Sequence, residues 1–205
     1  MLITESRTST ENSALYKVIF LGKKSARQVL LQCFLSGKFQ KDFLEKKPND
    51  FSLVRFEPDV RLQIWNSETE QTVINSSIYR GASGAIIVYS PTDTDSLDLL
   101  KAYLGELDLY ADPNVKKLLV AASYVEQQEP QVVDALKAKA LAEQHDAYFM
   151  AVDCHQNQDV QTMMKLLVGK ISTDRPQNDQ SKDNDNIPIT IQKKTPKKKL
   201  NCIIQ

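Results

Sequence analysis

The residue with the most definite chemistry in this sequence is Cys202, because it begins the last four residues, Cys-Ile-Ile-Gln. A cysteine followed by two aliphatic residues and a terminal residue forms the C-a-a-X signal, in which a prenyltransferase attaches an isoprenoid to the thiol. A final Gln favours farnesyl. The sequence therefore predicts lipidation of Cys202 and a location at the cytosolic face of the plasma membrane or an endomembrane.

A basic run precedes this cysteine and supplies a second membrane signal. It contains five lysines and no acidic residue: Lys193, Lys194, Lys197, Lys198 and Lys199. One prenyl chain alone binds membranes only marginally, and each lysine near an anionic leaflet adds about 1 kcal/mol. Residues 174–186, dominated by Asn, Asp, Gln, Ser and Lys, are predicted to be a linker. We expect residues 174–205 to be a disordered tail that tethers the protein reversibly.

A second cluster of charge lies at Lys23, Lys24 and Arg27, at the predicted start of a helix. The helix dipole attracts anions at that end, so one interpretation is an anion or phosphoinositide site. The other is a solvated basic loop whose side chains fill the surrounding space, and this is the interpretation we favour.

Cysteine and histidine chemistry elsewhere in the chain is limited. Cys154 stands between Asp153 and His155, but neighbours that follow a strand rarely point together, so a plain loop is favoured over a nucleophile. Cys33 is expected to be a small core residue. Two histidines alone do not supply a histidine-based metal cluster, and three widely spaced cysteines without a secretory signal indicate a reducing, cytosolic setting.

The apolar periodicity predicts the strands and helices that carry these residues. Strands are predicted over 15–21, 51–57, 61–65, 84–89, 117–122 and 148–152, and helices over 26–35, 95–110, 131–145 and 160–171. Short apolar strands that alternate with helices predict an α/β domain with a mostly parallel six-stranded sheet and helices on both faces. We expect this domain to span 14–173, after a flexible arm over 1–13.

The order of these motifs resembles a Rab-type member of the Ras superfamily of small GTPases. The most specific segment runs from Tyr79 to Tyr89 and reads Tyr-Arg-Gly-Ala-Ser-Gly-Ala-Ile-Ile-Val-Tyr; Tyr16–Gly22 and Leu62–Trp65 support it. The resemblance covers about 15–171 and implies the P-loop-NTPase-like fold of that family, together with effector or regulator proteins as partners. No nucleic-acid partner is expected.

The phosphate loop of that family, G-x-x-x-x-G-K-[ST], is altered in this chain. Its backbone N–H groups cradle phosphates, its Lys reaches the β/γ oxygens and its hydroxyl binds Mg²⁺. The corresponding loop segment consists of Gly22, Lys23, Lys24, Ser25, Ala26, Arg27, Gln28 and Val29. By position, Arg27 replaces the second glycine, Gln28 the lysine and Val29 the hydroxyl residue, and valine does not bind a metal.

The switch motifs are altered as well. Lys46 stands where the family has the first-switch threonine. In the second switch, W-D-T-A-G-Q, the family uses Asp, Gly and Gln for Mg²⁺, the γ-phosphate and the attacking water, whereas this chain has Asn66, Thr69 and Glu70.

The guanine-reading motif N-K-x-D is represented by Ala122, Ser123, Tyr124 and Val125, without the carboxylate that grips the base, and the final S-A-K motif by Val152-Asp153-Cys154. Charge-assisted contacts of this kind contribute about 1.5–3 kcal/mol each, so losing several together predicts a pseudo-GTPase that holds no cofactor. The alternative is a divergent GTP-binding switch that still uses GTP/GDP and Mg²⁺.

The resemblance also implies a partner-binding surface near the switches. The aromatic residues in that neighbourhood are Phe43, Phe51, Trp65 and Tyr79. They are candidate partner contacts, against the simpler interpretation that they pack in the core. The main hypothesis is thus a non-enzymatic, membrane-tethered interaction module in membrane traffic or signalling.

Overall fold

Six strands and four helices alternate along the chain in a computed structural model, which describes residues 13–45, 48–66, 76–93, 96–124 and 133–174. The strands are β1 Ala14–Gly22, β2 Phe51–Glu57, β3 Val60–Asn66, β4 Gly84–Tyr89, β5 Lys116–Ser123 and β6 Ala147–Asp153. The helices are α1 Lys24–Ser36, α2 Ser96–Tyr110, α3 Ala135–Gln144 and α4 Asn157–Thr173. Short 3₁₀ helices cover Lys41–Leu44 and Ser76–Ile78.

The strands form one sheet in the order β2-β3-β1-β4-β5-β6. Only the β2–β3 pair is antiparallel; the other pairs are parallel. Parallel strands need crossover connections, and helices provide them here. The predicted α/β architecture with a mostly parallel six-stranded sheet is therefore confirmed.

Each face of the sheet has its own apolar core. One core gathers residues of α1 and α4, with Phe20 and Val120 among the sheet residues. The other gathers α2 and α3 over Ile19 and Ile87. Alternation along β1 thus sends successive side chains into different cores, as the two-residue period of a strand requires.

Three predicted helix starts are wrong by two to four residues, and the start of α4 at Asn157 rather than 160 is one of them. Helix α1 begins at Lys24 rather than 26, immediately behind β1. Helix α3 begins at Ala135 rather than 131, because the Asp134 side chain accepts a hydrogen bond from the Leu136 N–H and caps the helix there. Val133 lies outside the helix and donates its N–H to the Pro91 carbonyl. Helix α1 ends at Ser36, one residue beyond the predicted end, and Gly37 caps it with a left-handed φ of 73°.

A polar cluster around Asp108 joins the C-terminal end of α2, the N-terminal end of β5 and the residue that follows α3. Its carboxylate lies 2.7 Å from Lys117 Nζ and 2.6 Å from His145 Nδ1. Burial alone would raise the pKa of Asp108, but the hydrogen bonds with Lys117 and His145 outweigh it and hold that pKa below its usual value.

Candidate functional site

The loop segment 22–29 lies at the carboxyl ends of the parallel strands, where ligands of open α/β sheets bind. Gly22 has a φ of 105°, and a Cβ there would stand 2.0 Å from the Val88 carbonyl oxygen, so only glycine fits. Helix α1 begins two residues later, and the Arg27 N–H donates to the Lys23 carbonyl at 2.9 Å. Lys24, Ser25 and Ala26 are therefore helical, and their N–H groups line up along α1 instead of curving around an open loop.

Arg27 occupies the inner side of this turn. Its side chain is only 2% exposed. Nε donates to Asn66 Oδ1 at 2.9 Å, and Nη1 donates to the Gly22 carbonyl at 2.7 Å. The guanidinium thus joins α1 to the ends of β1 and β3. It connects the loop segment to Asn66, the first altered position of the second switch.

The next two polar positions of α1 hold the segment that follows the helix. Gln28 Nε2 and Gln32 Nε2 each donate to the Phe43 carbonyl at 2.8 Å. Phe43 itself is buried in the core shared with α1. The 3₁₀ helix Lys41–Leu44 is consequently fixed to α1 by two hydrogen bonds and an apolar anchor.

Ala26 and Val29 face the core and are fully buried. Val29 therefore packs as an apolar residue at the position where the family pattern has a metal-binding hydroxyl. The described part of the chain contains no group of three or more His, Cys, Asp or Glu residues able to hold a metal ion.

The outer edge of the site is closed by contacts from two other loops. Lys23 Nζ lies 2.9 Å from Asp93 Oδ2, which follows β4. Tyr124, directly after β5, donates its hydroxyl hydrogen to Ser25 Oγ at 3.1 Å. The anion-site interpretation therefore loses support, because two of its three cations, Lys23 and Arg27, are already engaged by groups of the protein.

The far side of the site contains a second set of internal contacts after β6. The Phe39 ring packs on the His155 ring with 4.1 Å between centroids. His155 Nδ1 lies 3.0 Å from Asp153 Oδ1, and the same oxygen accepts the His155 N–H at 2.9 Å. Asp153 and His155 are therefore in contact, whereas sequence neighbours after a strand were expected to point apart.

Cys154 points away from this pair and into the core, where it is 1% exposed. A hydrogen bond with Cys33 and burial both raise the pKa of the Cys154 thiol well above its usual value. A protonated, buried thiol is a poor nucleophile, so the plain-loop interpretation of 153–155 stands. Cys33 is a core residue, as predicted.

The four candidate partner contacts separate into two pairs. Phe43 and Tyr79 are buried, and the Tyr79 hydroxyl donates to Glu106 Oε2 at 2.5 Å, so both belong to the packing of the domain. Phe51 and Trp65 are exposed and touch each other, with 5.1 Å between ring centroids. Leu53, on the same strand as Phe51, is also exposed and was not among the predicted contacts.

Several predicted positions lie outside the described residues. They are Lys46, Thr69, Glu70, Val125, Cys202 and the lysines Lys193, Lys194, Lys197, Lys198 and Lys199. Of the altered guanine motif, Ala122 is buried at the end of β5, and the Ser123 carbonyl accepts the Cys154 N–H at 2.8 Å. Among the helices that the structure describes, none is long and apolar enough to cross a membrane.

Sequence reasoning noted Arg27 and Asn66 as separate substitutions and missed that they bind each other. It also missed the Tyr124–Ser25 and Phe39–His155 contacts. A sequence signal for the Arg27–Asn66 contact was available. Arg27, a bulky donor, replaces a glycine of the family, and Asn66, a neutral amide, replaces an acid, at two positions that the fold brings together. The other two contacts join residues about 100 positions apart and had no local signal.

Comparison with known proteins shows that residues 17–173 match the Ras family. The chain is 30% identical over 188 residues to the Ras-related protein RIC1 of Oryza sativa subsp. japonica, covering 89% of this chain and 92% of that protein. It is 32% identical over 167 residues to the GTP-binding protein YPTM2 of Zea mays, covering 78% and 82%. It is 29% identical over 199 residues to the GTP-binding protein YPT1 of Saccharomyces cerevisiae, covering 94% and 93%.

Proposed function

The chain belongs to the Ras family, and from this premise we propose that it is a Rab-like pseudo-GTPase that acts as a membrane-tethered protein-interaction module in membrane traffic or signalling. The observation that carries the proposal is the position of Arg27. Its guanidinium fills the interior of the loop segment and holds Gly22 and Asn66 together.

A phosphate group would have to displace these contacts before it could bind in the manner of the family. The two hydrogen bonds of Arg27 involve a charged donor, and bonds of this kind contribute about 1.5–3 kcal/mol each. Breaking both would cost about 3–6 kcal/mol, which lowers affinity by roughly 10²- to 10⁴-fold. The Lys23 N–H already donates to the Val88 carbonyl at 2.9 Å, so a phosphate would have to displace this bond as well to use it.

Metal binding is disfavoured for an independent reason. Val29 has no ligand atom and is fully buried. Asn66 offers a neutral oxygen where the family has a carboxylate, and that oxygen already accepts from Arg27. The residues present therefore fit poorly to Mg²⁺, which prefers charged oxygen ligands and its own waters.

The proposed module does not need nucleotide to set its shape. In a switching GTPase the γ-phosphate orders the switch segments. In this chain Gln28 and Gln32 hold the 3₁₀ helix through the Phe43 carbonyl. We infer that this segment keeps one conformation, so that partners meet a constant surface and recruitment depends on where the protein is located.

The location in this proposal comes from the tail. Farnesyl on Cys202 and the lysines from Lys193 to Lys199 would provide the two signals that stable anchoring requires. A prenyltransferase is therefore a partner of the proposal, in addition to effector or regulator proteins.

A divergent GTP-binding switch remains the second candidate, because two of the relatives above carry GTP-binding in their names. The two candidates are separated by nucleotide content. Purified protein is denatured, and the supernatant is chromatographed for guanine nucleotide; fluorescent GTP is then titrated with and without Mg²⁺. We expect no bound nucleotide and no submicromolar affinity, and either one would overturn the pseudo-GTPase proposal.

A matched variant makes the result informative about Arg27. Arg27→Gly with Gln28→Lys restores two family positions at the loop segment, and Lys137→Ala on the exposed face of α3 serves as the control. If Arg27 blocks the site, the restored variant binds fluorescent GTP more tightly than wild type, while the control does not change.

A further inference from the structure

Two free cysteines meet in the core that α1 shares with α4. Cys33 lies on α1, Cys154 directly follows β6, and each is only 1% exposed. Both belong to the same apolar core, in which α1 packs against α4. Both are free thiols, and the two share a hydrogen bond. The fold therefore brings together two sulfur atoms that are far apart in sequence.

A second contact joins the same two segments of the chain. Phe39, in the segment that follows α1, packs its ring on that of His155, the residue after Cys154, with 4.1 Å between the ring centroids. The Cys154 N–H donates to the Ser123 carbonyl at 2.8 Å, which fixes the backbone of this cysteine at the end of β5. Cys33 lies within the regular turns of α1. The two thiols are consequently held opposite each other by their backbones.

The two thiols differ in acidity. The hydrogen bond with Cys154 lowers the pKa of the Cys33 thiol, and burial opposes this shift only in part. The same hydrogen bond and burial raise the pKa of the Cys154 thiol well above its usual value. Cys154 therefore stays protonated, and Cys33 is the sulfur that can become a thiolate. Oxidation to a disulfide needs such a pair, because one sulfur attacks the oxidant and the other then resolves the product.

We propose that Cys33 and Cys154 form a reversible intramolecular disulfide when the protein meets a peroxide, so that α1 becomes covalently joined to the junction of β6 and α4. This inference goes beyond the proposed function and does not depend on it. A disulfide is about 2.05 Å long, and thiols in hydrogen-bond contact have only a short distance to close. Because cytosolic reductants keep thiols reduced, the bond forms during exposure to oxidant and is removed afterwards.

The oxidation takes place in two steps. The Cys33 thiolate attacks one oxygen of hydrogen peroxide; an S–O bond forms, the O–O bond breaks, and the departing hydroxide takes up a proton and leaves as water. Cys154 then attacks the Cys33 sulfur, so that the S–S bond forms and the S–O bond breaks. The Cys154 proton leaves with the hydroxyl group as a second water. The two thiols have lost two electrons and one peroxide has gained them, and a dithiol reductant reverses the change through a mixed disulfide.

The crosslink acts on the segment that follows α1. Peroxide is small and reaches the buried pair when the end of α1 opens locally. Once the disulfide has formed, the last turns of α1 no longer separate from the residue after β6. The neighbouring segment 37–45, which contains Phe39 and the 3₁₀ helix Lys41–Leu44, then opens less often.

The test uses unprenylated full-length protein with Cys202→Ser, which leaves Cys33 and Cys154 as its two cysteines. Native protein is treated with hydrogen peroxide, unfolded in N-ethylmaleimide, digested with trypsin and analysed by mass spectrometry. We expect a peptide pair linked through Cys33 and Cys154, lighter by two hydrogen atoms than the two free peptides together. Its yield should not change when the protein is diluted tenfold, and dithiothreitol should restore both thiols.

Two results of this experiment would overturn the proposal. One is that both thiols stay reduced in native protein at a peroxide concentration that oxidises the same protein in urea. The other is that either cysteine becomes a sulfinic acid, or links two molecules, without the intramolecular pair.

Cys33→Ala and Cys154→Ala, in the same background, are the matched variants, because alanine is a small apolar residue that suits this core. Peroxide should raise the urea midpoint of the parent protein by roughly 1 M, since a crosslink across so long a loop restricts the unfolded chain. Neither variant should show this rise, and their untreated midpoints establish that they fold. An equal rise in a variant with one of the two cysteines would mean that peroxide acts elsewhere and would reject the crosslink.

Amide hydrogen exchange tests the restraint on the segment after α1. Exchange over 37–45 should be at least threefold slower in the oxidised parent than in the reduced parent, and unchanged when Cys154→Ala is treated with peroxide. A linked peptide pair together with unchanged exchange over 37–45 would show that the disulfide forms without restraining the segment, and the inferred device would be wrong.

Discussion

Removing the Arg27 guanidinium is the perturbation that most directly tests how the site is held together. Arg27→Met keeps most of the aliphatic stem but deprives Asn66 Oδ1 and the Gly22 carbonyl of their donors. A buried polar group left unsatisfied costs about 1–3 kcal/mol. Because burying the charged guanidinium is itself unfavourable, part of the loss is offset. We expect a net destabilisation of about 2–4 kcal/mol.

The measurement is urea unfolding of wild type, Arg27→Met, Asn66→Leu and the double variant. The free energy of unfolding is compared at constant m, since an altered m would indicate a changed native or denatured state. Replacing both partners with apolar residues removes most of the unsatisfied polar surface. The double variant should therefore be more stable than the sum of the single losses predicts, by about 1–2 kcal/mol.

Two results would refute this reasoning. If Arg27→Met lies within about 0.5 kcal/mol of wild type, the bonds of the guanidinium do not hold the site. If the single losses add without coupling, Arg27 and Asn66 act independently, and Arg27 does not block phosphate by bridging the two segments.

Three other predictions concern the tail, the 3₁₀ helix and the acid stability of the domain. In cell fractionation, Cys202→Ser should move the protein from membranes to the soluble fraction, whereas Lys23→Ala should leave it membrane-bound. If a folded Lys23→Ala variant lost membrane binding, the loop segment would contribute to location. Gln28→Ala should increase amide hydrogen exchange over 41–45 several-fold without changing exchange in β4, and unchanged exchange would mean that the hydrogen bond to the Phe43 carbonyl does not hold the segment. The pKa of Asp108 is lowered in the fold, so its carboxylate stabilises the domain above the ordinary pKa of 3.8, and this contribution is lost as the pH falls through the lower folded value. Because the carboxylate is partly exposed, Asp108→Asn should lower the free energy of unfolding by at most about 1 kcal/mol at pH 7 and by progressively less below pH 4. The difference is read from urea midpoints across pH. A difference that stays constant with pH would contradict the assignment.

Helix and strand identities were predictable because they depend on local periodicity. The apolar run in β4 and the leucine spacing of α2 predict a buried strand and an amphipathic helix without reference to the rest of the chain. The start of α1 was not predictable in the same way. Gly22 and three polar residues match a loop as well as a helical turn. The contacts of Arg27 with β1 and β3 in that turn are not encoded in the local pattern.

The exposure of the aromatic residues was equally beyond the sequence. Phe51 and Tyr79 are both aromatic residues beside altered switch motifs, yet one is on the surface and the other is buried against Glu106. Phe51 lies on an exposed face of β2, whereas Tyr79 lies in the turn before β4 and packs against α2. Local patterns do not contain that information, since α2 covers the central strands and leaves β2 and β3 open on one side.

Residue type and periodicity are local properties, and they sufficed to predict the α/β class, the order of elements and the absence of the family's side chains at the loop segment. The sequence also contains the C-a-a-X pattern at Cys202, a signal that depends only on four consecutive residues. The packing of the whole domain sets three further features: Arg27 fills the site, Lys23 pairs with Asp93, and Arg55 lies opposite Arg61 on neighbouring strands. These contacts depend on strand register and on the packing of segments that are distant in sequence, and both are fixed only in the complete fold.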